Sequence, residues 1–182
     1  MDVLYIDADE VIFNTIERFC EIMNERLDMD LHEKDIRTWN FQEYCVNGRN
    51  ITEQDVERVF DLEEFYDGIT YNQSAIDLIN NYKGKVVIVT KGSIVNLIRK
   101  RDKLIRDKII DGKHVFYVGV PLNGSKAEVD MSDGIFIDDF DKNLNESNAK
   151  VKILCMNNPS SEWNMNWNGR MVFKDKLSEV TL

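Results

Sequence analysis

The sequence predicts an α/β fold: a three-layer, Rossmann-like parallel sheet with a small helical cap inserted after the first helix. Three observations carry that reading. Short apolar runs of strand type alternate with longer stretches patterned at the helical period, the pattern of parallel sheets with right-handed crossovers. The runs are nearly continuous in apolar residues, as strands buried on both faces require. One stretch, residues 31–72, interrupts the alternation: it is acidic, aromatic and without a strong strand signal.

The elements follow in order. Val3 to Ile6 is the first apolar run, and it breaks into Asp7-Ala8-Asp9-Glu10, so a buried strand carries acidic groups at its C-terminal end. Ile16, Phe19, Ile22, Met23 and Leu27 recur at helical spacing and predict an amphipathic helix over 14–27. Within 31–72, Ile51 to Phe60 suggests one short helix with Thr52 as its N-cap. Ala75, Ile76, Leu78, Ile79 and Tyr82 form the next helix face, stopped at Gly84. Val86 to Val89 is the second strand, ending at Thr90. Ile94, Leu97, Ile98, Leu104, Ile105 and Ile109 mark a long helix beyond Ser93. Val115–Val118, Ile135–Ile137 and Val151–Leu154 are the third, fourth and fifth strands, and the fourth ends at Asp138-Asp139. Residues 157–169, rich in Asn, Ser and Trp, read as a long loop, and 171–182 are too few to assign. The division is a core of residues 1–28 and 73–182 around a cap of residues 29–72.

A chain of 182 residues has room for one core domain with one inserted subdomain. No apolar run approaches the roughly 20 residues of a transmembrane helix, and Asp2 leads directly into a strand, without the basic region of a signal peptide. Cys20, Cys45 and Cys155 are odd in number and widely spaced, which points to a reducing compartment and away from disulfides or zinc. A cytoplasmic location without membrane association is therefore expected. The net charge of −10 argues against a nucleic-acid duplex as partner. It leaves room for a small anion, because a cation, a lysine and helix N-termini can bind one phosphate within an acidic protein.

In open α/β sheets ligands bind beyond the carboxyl ends of the strands. Asp7 and Asp9 end the first strand, Thr90 the second, Asp138 and Asp139 the fourth, and Lys126 lies in the loop before the fourth. Phosphoryl transfer needs a nucleophile, a cation against the phosphate charge, donors for the equatorial oxygens and an acid for the departing oxygen. Asp7 and Asp9, two apart in extended chain, can face the same way. Several carboxylates around one point are tolerable only with a cation between them, and oxygen-only ligands select Mg²⁺. Thr90 offers a hydroxyl and Lys126 a point charge, both suited to phosphate. Each piece alone has a plainer reading: an acidic pair after a strand is commonly a turn or helix cap, Thr after a strand a helix cap, and Lys a solvated surface group. Asp138-Asp139 could begin the helix near Asp141. The conjunction at three strand ends favours chemistry.

This ordered set resembles the haloacid dehalogenase superfamily. Asp7-Ala8-Asp9-Glu10-Val11 matches its first motif, DxDx[TV]; the strand VVIVT through Thr90 matches the second; Lys126 matches the third; Asp138-Asp139, after IFI, matches the fourth. The resemblance implies Asp7 as nucleophile and Asp9 as acid/base. It implies Mg²⁺ held by Asp7, the main-chain carbonyl of Asp9 and Asp138, with Asp139 nearby. Within the superfamily the chain looks most like the 5′(3′)-deoxyribonucleotidases in its length, its helical cap between the first two motifs and its Asp-Glu-Val beginning. That resemblance implies dephosphorylation of (deoxy)ribonucleoside 5′- or 3′-monophosphates. Trp39 and Phe41 lie where that family carries cap aromatics that stack on the base; their plainer reading is the cap's own core.

There are departures from that family. Lys91-Gly92-Ser93 follows Thr90 where Ser-Pro is common, so Lys91 either adds a phosphate contact or faces water, and Asn14 stands where an acidic residue is usual. The same chemistry on a sugar phosphate or another phosphorylated metabolite is the main alternative. A response-regulator receiver domain also gathers an acidic pair, Asp, Thr and Lys on a parallel sheet. Here, however, Val115–Val118 runs into Gly119-Val120-Pro121 with no aspartate, and receivers carry no insert after the first helix. A non-catalytic module on the same fold would be expected to lack a motif residue. Oligomeric state is open, a homodimer included.

Overall fold

The computed structural model describes residues 3–38, 44 and 52–181. Six strands form one sheet: β1 (Val3–Ile6), β2 (Lys85–Gly92), β3 (Val115–Pro121), β4 (Gly134–Asp138), β5 (Val151–Met156) and β6 (Arg170–Phe173). Their order is β3-β2-β1-β4-β5-β6 and every pairing is parallel. The helices are α1 (Thr15–Leu27), α2 (Glu53–Phe60), α3 (Glu63–Gly68), α4 (Gln73–Asn81), α5 (Ile94–Arg106) and α6 (Asp141–Glu146). This is the expected three-layer, Rossmann-like architecture.

The sheet's period of two divides the core. Leu4 and Ile6 of β1 point to one face, where Ile88, Ile137 and Ile153 meet Ile16 and Phe19 of α1, Leu78 of α4 and Leu104 of α5. Val3 and Tyr5 point to the other, with Phe136, Leu154 and Leu144 of α6. Because β1 is central and the chain crosses back over it to reach β4, the order in which the strands are added reverses between β1 and β4. The C-terminal ends of those two strands therefore open the crevice at a topological switch point.

Several helix ends are fixed by the residues that the pattern suggests. Ser93 Oγ accepts from the Asn96 N–H at 3.0 Å and caps α5, and Asn72 caps α4 by accepting from the Ser74 N–H at 3.1 Å. Thr52 N–H and Oγ–H both donate to the Asp55 carboxylate while the Asp55 N–H donates back to Thr52 Oγ1, a reciprocal cap at the start of α2. Between α1 and α4 the described insert is helical: a 3₁₀ turn at Glu33–Asp35, then α2 and α3. Phe60 stacks on Phe19 of α1 at 5.7 Å and meets Phe65 edge-on at 5.3 Å.

Three features differ from the sequence reading. β2 runs two residues past Thr90, because Lys91 and Gly92 continue the ladder with Val120 and Pro121 of an equally extended β3. α5 stops at Arg106, followed by Lys108 in the left-handed conformation. Its buried residues are Asn96, Lys100 and Leu104, whereas Ile94 is 73% exposed and Ile98 and Ile105 are about half exposed. A sixth strand, β6, follows the 157–169 segment, which itself contains a 3₁₀ turn at Glu162–Asn164. β6 is an edge strand whose short apolar run, Met171-Val172-Phe173, lies mostly exposed.

Candidate active site

β1 and β4 are in register, Ile6 beside Ile137, so the residues that follow them leave the sheet side by side. Asp7, Asp138 and Asp139 are all buried, and one carboxylate oxygen of each lies within 4.8 Å of the others. Lys126, only 3% exposed, enters from the 3₁₀ turn Lys126–Glu128. Its ammonium lies 2.7 Å from Asp7 Oδ1 and 2.7 Å from Asp138 Oδ2. Ser125 and Glu128 hold that turn with a full capping box.

The hydrogen bonds separate the three carboxylates. Asp138 is saturated: Oδ1 accepts from the Phe140 N–H at 2.8 Å and from Asn143 Nδ2 at 3.1 Å, while Oδ2 takes Lys126. Asp7 Oδ1 accepts from the Ala8 N–H at 2.7 Å as well as from Lys126. Asp139 Oδ2 is buried with no hydrogen-bond partner. An orphaned buried carboxylate oxygen is costly unless something positive meets it.

The electrostatics say the same. Burial pushes the Asp7 carboxyl up to about 7, opposed by Lys126 and reinforced by Asp138 and Asp9. Burial, then Asp138 and Asp7, hold Asp139 well above the usual carboxylate range. Burial works to lower Lys126, but Asp138 and Asp7 outweigh it and keep the ammonium above the ordinary lysine range. Three carboxylates against one ammonium leave an excess of two negative charges, which a divalent cation matches. Oxygen donors and that charge fit a hard cation of the magnesium type.

Asp9 lies in the same loop and faces the α5 side. Thr15 Oγ donates to its Oδ1 at 3.1 Å, and Lys100 Nζ forms an ion pair with its Oδ2. Thr90, fully buried, stands 3.4 Å from that same oxygen. Glu10, in the left-handed conformation at φ 55°, braces the loop from behind. Its carboxylate accepts from the Ile16 N–H at 2.7 Å, from Asn157 Nδ2 at 2.9 Å and from Lys174 Nζ at 3.2 Å. Asp7, Asp9, Lys126, Asp139 and Lys91 line one cavity of about 710 Å³; Lys91 is exposed at its edge. Trp39 and Phe41 lie outside the described residues.

Sequence reasoning missed Lys100, Asn143 and Lys174. Lys100 was hidden by counting isoleucines along α5. The stripe Asn96, Lys100, Leu104, four residues apart and starting three beyond the cap Ser93, is the signal that finds it. Asn143 sits in the first turn of α6, close enough in sequence to reach back to Asp138. Lys174 carries no local signal, because its partner Glu10 is 164 residues away.

A parallel sheet whose switch point gathers buried carboxylates around one lysine fits a phosphatase of the haloacid dehalogenase superfamily. Within it, the chain belongs to the family described as 5′ nucleotidase, deoxy (Pyrimidine), cytosolic type C protein, whose model matches residues 1–170. The protein is thus a phosphoric monoester hydrolase with a nucleotidase's ancestry, from a family that generally uses a divalent metal. With that assignment the signalling-domain alternative falls away. No curated protein matches the chain. No helix among the described residues is long and apolar enough to cross a membrane.

Proposed function

We propose that the protein is a Mg²⁺-dependent nucleotidase that removes phosphate from (deoxy)ribonucleoside 5′- or 3′-monophosphates through a phosphorylated Asp7. The observation that carries this reading is the buried group of Asp7, Asp138, Asp139 and Lys126, of which Asp7, Asp139 and Lys126 line the 710 Å³ cavity. Asp7 Oδ1 is held by Ala8 and Lys126, which aims the carboxylate and leaves its second oxygen to attack phosphorus. As that bond forms, the ester P–O bond breaks and Asp9 gives its proton to the departing alkoxide. Asp9 then takes a proton from water, the water oxygen bonds phosphorus, and the Asp7–phosphate bond breaks to release inorganic phosphate.

Magnesium, when bound, supplies charge that offsets the phosphate and the crowded carboxylates. Asp7, the Asp9 main-chain carbonyl and Asp139 would hold it. Asp138, which the sequence suggested as the ligand, has both oxygens engaged and serves to fix Lys126. Lys126 and Thr90 would receive the phosphate oxygens, and Lys91 stands at the mouth to add a contact. The cavity is large enough for a base and sugar beyond the phosphate. The family's cytosolic description supports a cytoplasmic location.

The test is a phosphatase screen with Mg²⁺ across nucleoside monophosphates and sugar phosphates. A clear preference for nucleotides is expected. Equal or better turnover of sugar phosphates would transfer the site to another metabolite and keep the chemistry. Trp39→Ala refines the result. If Trp39 stacks on the base, at roughly 1–3 kcal/mol, kcat/KM for deoxyuridine monophosphate falls about 5- to 150-fold while nitrophenyl phosphate is little affected.

A further inference from the structure

We infer that Lys100 is a positioning residue of this reaction: it holds the Asp9 carboxylate in place and ties it to the Thr90 hydroxyl of β2. The inference rests on the nucleotidase reading above. Lys100 sits in the middle of α5 and is 2% exposed. An ammonium has three hydrogens and no acceptor. All three are used: one on Asp9 Oδ2, one on Thr90 Oγ1 at 3.0 Å, one on the Lys91 carbonyl at 3.1 Å. Burying a cation costs several kcal/mol, and replacing a buried ion pair by apolar groups is often neutral for stability. A buried lysine at this point is therefore better explained by what it orders than by what it stabilises.

It orders two things. Asp9 is gripped at both oxygens, by Thr15 on Oδ1 and by Lys100 on Oδ2, so its position relative to Asp7 does not depend on the substrate. Thr90 Oγ accepts from Lys100, so its own hydrogen must point elsewhere. The direction open to it leads toward Asp9 Oδ2, at a long 3.4 Å. A hydrogen bond that long is weak, so the hold on Asp9 falls to Thr15 and Lys100. One cation thus links the loop after β1, which carries the acid, to β2, which carries the phosphate donor.

The experiment is steady-state kinetics of Lys100→Met and Lys100→Arg with Mg²⁺, on deoxyuridine monophosphate and on 4-nitrophenyl phosphate, beside melting curves. A misplaced acid matters most where the leaving group is poor. Lys100→Met leaves Asp9, Thr90 and the Lys91 carbonyl without their donor, so it is expected to melt below wild type, and to lose roughly 10²-fold or more in kcat on the nucleotide. The loss on nitrophenyl phosphate should be at least tenfold smaller, KM should hold within about threefold, and Lys100→Arg should recover part of the nucleotide loss. Equal losses on both substrates would mean a merely structural role and overturn the inference. So would a KM, and an inhibition constant for inorganic phosphate, that rise together at unchanged kcat, since that marks a direct phosphate ligand. If Lys100→Met does not fold, the same leaving-group comparison on Lys100→Arg decides: unequal losses support positioning and equal losses refute it. Failure of the parent reading looks different, because wild type itself would then turn over nitrophenyl phosphate but not the nucleotide.

Discussion

At the residue scale, the site is a crowd of like charges. Asp7, Asp138 and Asp139 share one buried volume with a single ammonium, and burial raises Asp7 to about 7. Asp7→Asn removes the attacking oxygen and one of the crowded charges together. Turnover should fall by at least roughly 10⁴-fold. The melting temperature in metal-free buffer at pH 8 should stay at or above that of wild type, because a neutral amide still accepts from Ala8 and Lys126. An Asp7→Asn protein keeping a tenth of wild-type activity would end the covalent mechanism. Asp7, Asp9, Asp138 and Asp139 were legible in the sequence because each follows a buried strand within three residues, so strand and chemistry are read together. Lys100 and Lys174 were not, since each owes its burial to a partner 91 or 164 residues away. Nor did spacing reveal which of Asp138 and Asp139 is left unpaired, which depends on a backbone N–H and on Asn143.

At the element scale, five of the six strands were legible as apolar runs, and β6 escaped because its run, Met171-Val172-Phe173, is short, mostly exposed and followed by no helical pattern. α5 was placed correctly but turned the wrong way: its isoleucines face out and its polar stripe faces the site. The pairing of β1 with β4, on which the site depends, is narrow at one point. A Cβ added to Gly134 would come 2.4 Å from the Val3 carbonyl oxygen and 2.8 Å from the Tyr5 ring. Backbone cannot step aside cheaply, so Gly134→Ala should cost about 1–3 kcal/mol and lower the melting temperature by about 3–10 °C. A change below 1 °C would show that the two strands part freely. The connection from α5 to β3 is held differently. Asp111 Oδ1 accepts from the N–H groups of Val115, Lys113 and His114 at 2.8–2.9 Å, and these bonds hold its carboxyl down to about 2. An unfolded aspartate titrates near 3.9, roughly. The bonds therefore stabilise fully above about pH 4 and fade as pH falls through about 2. Asp111→Ala should melt lower than wild type by the same margin at pH 7 and pH 5, and the margin should shrink below pH 4. A margin independent of pH down to 2.5 would remove the ionised carboxylate from the explanation.

At the scale of the whole molecule, a chain of net charge −10 has to bind a dianion, and the balance is achieved locally. Lys126 and Lys100 neutralise part of the aspartate group, Lys91 stands at the cavity mouth, and the two remaining charges call for a divalent ion. The overall acidity opposes loose association with nucleic acid, while local cations can still hold one small phosphate. On the proposed reading, such a divalent ion would add to the fold's stability as well as to its chemistry. A ligand that binds only the folded state stabilises it by RT ln(1 + [L]/Kd), about 2.7 kcal/mol at a hundredfold excess over Kd. For a domain of this length that is about 5–11 °C. Adding Mg²⁺ to chelator-treated protein should raise the melting temperature by that amount, with activity returning over the same concentration range. Asp139→Asn should shift both curves together to higher Mg²⁺, because a carboxylate that would help hold the ion becomes a neutral amide. Asp138→Asn should weaken the hold on Lys126 and cut activity while moving the Mg²⁺ midpoint less. A melting temperature indifferent to Mg²⁺, with full activity in chelator, would mean that the excess charge is carried by protons, and the raised Asp7 and Asp139 would then be the resting state of the site rather than a vacancy for a cation.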